Sequence, residues 1–216
     1  MIKLIILSTL LLSACSIKTP TNDWQRKSTT AFNSYTKNFL QANNALSASD
    51  LSRAITHAKQ SANLTQLGKI YLGECALNIS AGIHDDCKKY KDISNLIKDN
   101  KLEAYYSLLN NSLQEEQIKF LPSQYQDFSL ALIKKDEKMV NTEILQISKT
   151  SSLLLSASLA KKLLNNTTKE HIIQSASFNG YKKIVLFWLE NKKQTTNDTK
   201  IQQEIEKRIS ILKSNH

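Results

Sequence analysis

The chain has 216 residues and a formal net charge of +10, from 29 Lys and Arg residues against 19 Asp and Glu residues. It contains only four glycines and two prolines, so the turn residues that a β-rich fold requires are scarce. The composition therefore argues against a β-rich fold and predicts an all-α protein, long enough for one compact domain with a sizeable core.

The first 15 residues, MIKLIILSTLLLSAC, have the parts of an export signal. Lys3 precedes an apolar run of about ten residues, and small residues stand before Cys15. The run is too short to cross a bilayer as a mature helix. We therefore predict that residues 1–14 form a signal peptide that is removed.

A cysteine at the predicted cleavage point distinguishes this segment from an ordinary secretory signal, which is the alternative. The sequence Leu12-Ser13-Ala14-Cys15 resembles the lipobox of bacterial lipoproteins. The resemblance implies cleavage between Ala14 and Cys15 and acylation of Cys15 with chains such as palmitate. Two or three chains, at about 0.8 kcal/mol per buried methylene, would anchor the protein permanently in a membrane.

The residues after the cysteine bear on location. Ser16 stands where the enterobacterial members of the lipoprotein family carry an aspartate for inner-membrane retention, so the resemblance implies the outer membrane. Residues 15–22 are polar, contain Pro20 and reach no more than about 25 Å. We expect a single helical domain at residues 23–216 that faces the periplasm close to the lipid headgroups.

Cys75 and Cys87 remain as an even pair that could form a disulfide in an oxidising compartment. One continuous helix would separate the two positions by about 18 Å, whereas a disulfide tolerates about 7 Å between Cα atoms. A bridge therefore requires a break in the helix. Gly82 as a helix end, followed by Asp85 and Asp86 as a new N-cap, would supply it.

Apolar residues at helical spacing, such as Leu51, Ala54, Ile55 and Ala58, recur along the chain. The predicted helices cover residues 24–42, 49–62, 65–81, 88–98, 101–118, 123–134, 137–148, 150–164, 168–179, 182–193 and 199–213.

Candidate helix starts are Asp50, Asp136 and Asp198 as N-caps and a capping box from Thr167 to Glu170. Short turns between helices favour antiparallel neighbours. Residues 153–164 and 184–189 are apolar on nearly every face, which predicts burial on more than one side. The expected fold is a stack of antiparallel helical hairpins, tetratricopeptide-like without that repeat, or an irregular bundle.

Three segments are similar to a family of uncharacterised proteobacterial lipoproteins. They are Tyr71-Leu72-Gly73-Glu74-Cys75-Ala76 with Cys87, Leu121-Pro122-Ser123-Gln124-Tyr125, and residues 180–189. The resemblance implies a helical, periplasm-facing lipoprotein with a Cys75–Cys87 bridge. It implies no activity.

The positive charge favours anionic partners such as lipid headgroups, lipopolysaccharide, peptidoglycan or acidic proteins, and we expect no nucleic-acid partner in this compartment. Most lysine pairs fall at predicted helix ends, where the helix dipole favours them. Lys88, Lys89 and Lys91 are not explained in this way. They form the candidate basic patch.

No catalytic motif is present, and we predict no enzyme, no metal and no cofactor other than the covalent lipid on Cys15. Residues 84–87, His-Asp-Asp-Cys, are metal-ligand types, but a loop with capping aspartates needs no metal. Glu74 is either a buried acid or a hydrogen-bonded one. Clustering of Glu74, His57 or His171 in a cleft would favour an enzyme.

The function that we expect is that of a non-enzymatic interaction module that binds another envelope component, with a protein partner of unknown identity. The alternative is a binder or carrier of a lipid or glycan between helices, and an enzyme is third. An apolar cavity of several hundred Å³, lined by the helices at 150–164 and 181–193, would favour the ligand. Among the aromatic residues, Tyr105-Tyr106 and Phe187-Trp188 either contact a ligand or belong to the core.

Replacing Cys15 tests the predicted anchor. The Cys15→Ser variant should leave the membrane fraction or keep its signal peptide, because serine cannot form the thioether to the lipid. Cell fractionation and intact mass measure this. Unchanged membrane retention at the mature mass would contradict the prediction.

Overall fold

The computed structural model describes residues 22–62 and 64–214, so residues 1–14, Cys15 and the tether up to residue 21 lie outside it. The described residues form an all-α bundle without strands. Two 3-10 helices lie at Glu115–Phe120 and Lys161–Leu163. The α-helices are α1 (Asp23–Leu40), α2 (Asn44–Ala58), α3 (Thr65–Ser80), α4 (Lys88–Ser94), α5 (Asn100–Leu109), α6 (Ser123–Lys134), α7 (Glu137–Gln146), α8 (Thr150–Leu159), α9 (Asn166–Phe178), α10 (Lys182–Thr195) and α11 (Thr199–Lys213).

Helices α1 and α2 form an antiparallel hairpin. The Ser28 hydroxyl, early in α1, donates to the Ala54 carbonyl late in α2 at 3.0 Å. Asn38, late in α1, donates to the Asp50 carboxylate at 2.7 Å. Ala54 is fully buried, so the two helices approach closely there.

Helices α3 and α8 occupy the centre of the bundle. Eight of the 16 residues of α3 are buried, and this helix packs against α1, α2, α4, α5 and α8. Helix α8 buries Leu153, Leu154 and Leu155 and packs against α3, α6, α7 and α9. The Ser158 hydroxyl donates to the Ser80 carbonyl at 3.0 Å, which links the two helices.

Helix α10 and α11 form a second antiparallel hairpin at the end of the chain. Lys193 pairs with Glu206 at 2.6 Å, and Lys213 pairs with Glu190 at 3.2 Å. Trp188 is fully buried, which agrees with the burial expected for residues 184–189.

Throughout the part of the chain that is described, no helix has both the length and the apolar content of a membrane span.

The predicted helix at 101–118 is wrong, because the chain leaves α5 after Leu109. Asn111 has a φ of +54°, in the left-handed region that asparagine tolerates better than most residues. The amide side chain of Asn110 donates to the Tyr106 carbonyl at 3.0 Å, which competes with helix continuation. Residues 115–120 then form a separate 3-10 helix that leads into α6.

The predicted helix starts are partly confirmed. Asp136 and Asp198 cap α7 and α11 by accepting from first-turn amides. Asp50 does not cap a helix, because α2 begins at Asn44 and Asp50 lies inside it, bonded to Asn38 and Arg53. The box at Thr167 is also wrong, because Asn165 caps α9 by accepting from the Thr168 amide at 2.8 Å.

A disulfide joins Cys75 in α3 to Cys87, with 5.3 Å between the Cα atoms. The predicted break is present, because Gly82 has a φ of +73° and the chain turns after α3. Asp85 accepts from the Cys87 amide at 2.8 Å, and Asp86 accepts from the Lys88 amide at 3.2 Å. The N-cap of α4 is Cys87, which has a φ of +54° and makes no side-chain capping bond, so the prediction of an aspartate N-cap is wrong.

Removing the disulfide should lower the free energy of unfolding by about 3 kcal/mol, because the bridge closes a loop of about 13 residues. We expect this for the Cys75→Ala/Cys87→Ala variant, measured by urea denaturation. Reductant should destabilise the wild-type chain and leave the double variant unchanged. Equal midpoints for the oxidised wild type and the variant would contradict the prediction.

Two glycines provide a matched pair for a packing test. Gly82 and Gly180 both have positive φ, so alanine costs about 1–2 kcal/mol of backbone strain at either position. A Cβ at Gly82 would overlap the Phe187 ring, whereas at Gly180 nothing lies within 4 Å. Overpacking adds about 1–3 kcal/mol, so Gly82→Ala should destabilise more than Gly180→Ala in urea denaturation. Equal losses would mean that Phe187 does not pack on Gly82.

Candidate ligand-binding site

A cavity of about 840 Å³ lies beside the contact between α3 and α8. Its volume is within the range of about 300–1,000 Å³ that is typical of small-molecule sites. The walls come from α1, α3, α5, the first turn of α8, and the segment at 119–125 that leads into α6. The cavity is a cleft that remains open to solvent on one side.

Apolar side chains form most of the cavity wall. They include Phe32 from α1, Leu77 from α3, Leu102 from α5, Leu155 from α8, and Phe120 with Leu121 from the segment before α6. Gly73 allows Phe32 to lie directly against α3, because a Cβ at this position would overlap the ring. Substitution of Gly73 would therefore displace a wall of the cavity.

Two tyrosines also line the cavity. The rings of Tyr105 and Tyr125 lie 5.8 Å apart between centroids. Ser152, which also lines the cavity, accepts from the Gln124 amide at 3.4 Å. Burial raises the pKa of Tyr105 well above its usual value and also raises the pKa of Tyr125. Both groups are therefore neutral hydroxyls at neutral pH.

The charged side chains at the cavity are three lysines. Lys101 belongs to α5 and Lys119 belongs to the 3-10 helix at Glu115–Phe120. Lys149 is the residue that precedes α8. All three are exposed at the rim, and the Lys119 ammonium lies 5.1 Å from the centroid of the Phe120 ring. No acidic side chain lines the cavity, and none of the three lysines forms an ion pair with a described carboxylate.

The candidate basic patch lies elsewhere and is largely neutralised. Lys88 pairs with Asp92 at 3.0 Å, and Lys89 pairs with Glu74 at 2.6 Å. Glu74 is therefore both hydrogen-bonded and largely buried: its Oε1 accepts from Lys89, while its Oε2 is buried and has no hydrogen-bond partner among the described residues. Only Lys91 of the patch lacks an ion pair within the described residues, so the charge available to a partner there is small.

The residues that would favour an enzyme do not come together. His57 lies in a surface depression with Arg26 and Arg53. His171 lies in another depression, with its Nε2 atom 3.5 Å from the Ser175 hydroxyl. Glu74 lines neither depression, so these three residues form no common cleft.

The residue types with metal-ligand chemistry lie at the disulfide. The ligand atoms of Cys75, Asp85 and Cys87 lie within 4.8 Å of one another. The two sulfur atoms are bonded to each other and offer no thiolate, and the Asp85 carboxylate accepts from Asn78 at 2.7 Å and from the Cys87 amide. This cluster therefore serves to fold the loop between α3 and α4.

The condition set for a ligand, a cavity lined by the helices at 150–164 and 181–193, is met only in part. Of the two helical segments named for it, α8 contributes lining residues and the segment at 181–193 contributes none. Trp188 belongs to the core and packs on Phe187 at 5.3 Å between ring centroids, whereas Tyr105 faces the cavity. The sequence run Phe120-Leu121-Pro122 could have predicted this part of the cavity wall, because three apolar residues stand directly before a helix.

Comparison with known protein families, with curated proteins and with solved structures finds no match to this chain.

Proposed function

We propose that the protein is a lipid-anchored binding protein of the bacterial envelope, and that a small ligand occupies the cavity between α1, α3, α5, α6 and α8. The lipobox at residues 12–15 supports the anchor, which would hold the domain at the outer membrane facing the periplasm. The cavity is the observation that supports the ligand.

The chemistry of the cavity favours a ligand over catalysis. Apolar walls with a few convergent polar groups are typical of small-molecule binding sites. Here those polar groups are neutral tyrosine hydroxyls, serine and an amide, which can orient a ligand. None of them is paired with a base that would activate it, and the histidines lie at other depressions.

The second candidate is an interaction module with an envelope protein partner. Phe178 at the end of α9 is 92% exposed, which is unusual for a phenylalanine and gives this candidate some support. A single exposed apolar side chain is still ordinary for a soluble domain. Crosslinking in the native host tests this candidate, and one stoichiometric protein partner would favour it.

Filling the cavity tests the ligand proposal. The probe is N-phenyl-1-naphthylamine, a neutral apolar fluorophore, and the protein is the mature chain, residues 15–216, with Cys15→Ser, so that no acyl chain, signal peptide or detergent competes. We expect saturable binding of one probe per chain. Ser151→Trp should reduce probe affinity about tenfold or more, because an indole at the first turn of α8 occupies the cavity.

The matched control is Ser177→Trp, the same substitution at an exposed position of α9 outside the cavity. It should bind the probe like the parent chain. Absence of saturable binding to the parent chain, or equal affinity in both tryptophan variants, would refute the proposed cavity site. Circular dichroism confirms that both variants retain their helices.

A further inference from the structure

The positive charge at the cavity comes from three separate parts of the chain. Lys101, Lys119 and Lys149 converge there from α5, the 3-10 helix and the start of α8. Unpaired lysines alone are common at protein surfaces. Three of them around one apolar cleft, with no acidic residue among the lining side chains, create a region of positive potential at its mouth.

The backbone adds to this potential. Helices α6 and α8 both begin at the cavity, because Pro122 and Lys149 precede their first residues and both line it. Neither helix start has a side chain that accepts from its first-turn amides. One first-turn amide of each helix donates to a backbone carbonyl, Tyr125 to Pro122 and Ser152 to Lys149, and the dipole of each helix favours a negative charge nearby.

The apolar walls lie next to this cationic mouth. Phe32, Leu77 and Leu155 cover the walls from α1, α3 and α8, and Leu155 is 2% exposed. A ligand that satisfies both regions needs an apolar chain and an anionic group at one end. A purely polar anion would leave the apolar walls exposed to water. A neutral apolar molecule would leave the lysine charges without a counter-charge.

On the basis of the proposed function, we infer that the ligand is a single-chain lipid with an anionic head group. The chain lies against Phe32, Leu77 and Leu155, and the head group, a carboxylate or a phosphate, is bound by Lys101, Lys119 and Lys149. Tyr105 and Tyr125 also line the cavity, and burial raises the pKa of both side chains, so their hydroxyls are neutral.

Displacement of the bound fluorophore tests this inference. Oleate and oleyl alcohol have the same chain and differ in the anionic head, whereas acetate has a carboxylate without the chain. We expect oleate to displace N-phenyl-1-naphthylamine at a concentration about tenfold or more below that of oleyl alcohol, because charge-assisted contacts strengthen binding. Acetate should not displace it. A muropeptide fragment tests the glycan alternative and should not displace the probe either.

In the variant Lys101→Gln/Lys119→Gln/Lys149→Gln, the advantage of oleate, its displacement of the probe at a lower concentration than oleyl alcohol, should be lost. The variant should keep its affinity for the neutral probe, which also shows that the cavity is intact. The control Lys59→Gln/Lys138→Gln/Lys207→Gln removes the same charge from exposed positions on or directly after helices that do not line the cavity and should behave like the parent. The advantage of oleate should also shrink as salt rises, since exposed charges are screened.

The outcomes separate the inference from the proposed function. Saturable probe binding with equal displacement by oleate and oleyl alcohol overturns the anionic head and leaves the cavity site in place. Loss of the oleate advantage in the control variant as well overturns the role of the three lysines, because net charge alone would then explain it. Displacement by the muropeptide and not by oleate overturns the lipid class.

Discussion

The packing of α3 against α8 is the contact on which the rest of the bundle depends. Both helices are apolar on more than one face, so neither can be stable at the surface. Their contact buries those faces and leaves the outer faces for their neighbours: α1, α2, α4 and α5 on α3, and α6, α7 and α9 on α8. One core cluster consequently extends from Tyr35 in α1 to Ile209 in α11.

The cavity follows from how the chain passes between these two central helices. After α5 ends at Leu109, a turn and a 3-10 helix carry the chain across to α6. A 3-10 helix is short and packs less regularly than an α-helix. Its last residue, Phe120, and the following Leu121 and Pro122 cover the gap beside Leu77 and Leu155 without filling it. The cleft is thus lined by the regular helices α1, α3, α5 and α8 and by this irregular segment.

Charge is distributed differently at the cavity and over the rest of the surface. Lys88, Lys89 and Lys193 meet carboxylates on their own or neighbouring helices. The exposed pair of Lys88 with Asp92 contributes about 0–1 kcal/mol. The lysines at the cavity have no such partner. The proposed anchor would hold the domain close to membrane lipids, so the proposed anchor and the proposed lipid ligand are consistent with each other.

The sequence by itself determined the elements whose causes are local. Composition and periodicity predicted the all-α class. Asp136 and Asp198 predicted two helix starts, and Gly82 predicted the break that allows the disulfide. These local features were predictable because capping and positive φ depend on neighbouring residues. Only the tertiary structure decided the cavity and the pairing of Lys89 with Glu74, since those residues are distant in sequence and show no common pattern. Asp50 illustrates the difference: its residue type favours a cap, yet contacts with α1 place it inside α2. Packing between helices overrode a local preference there.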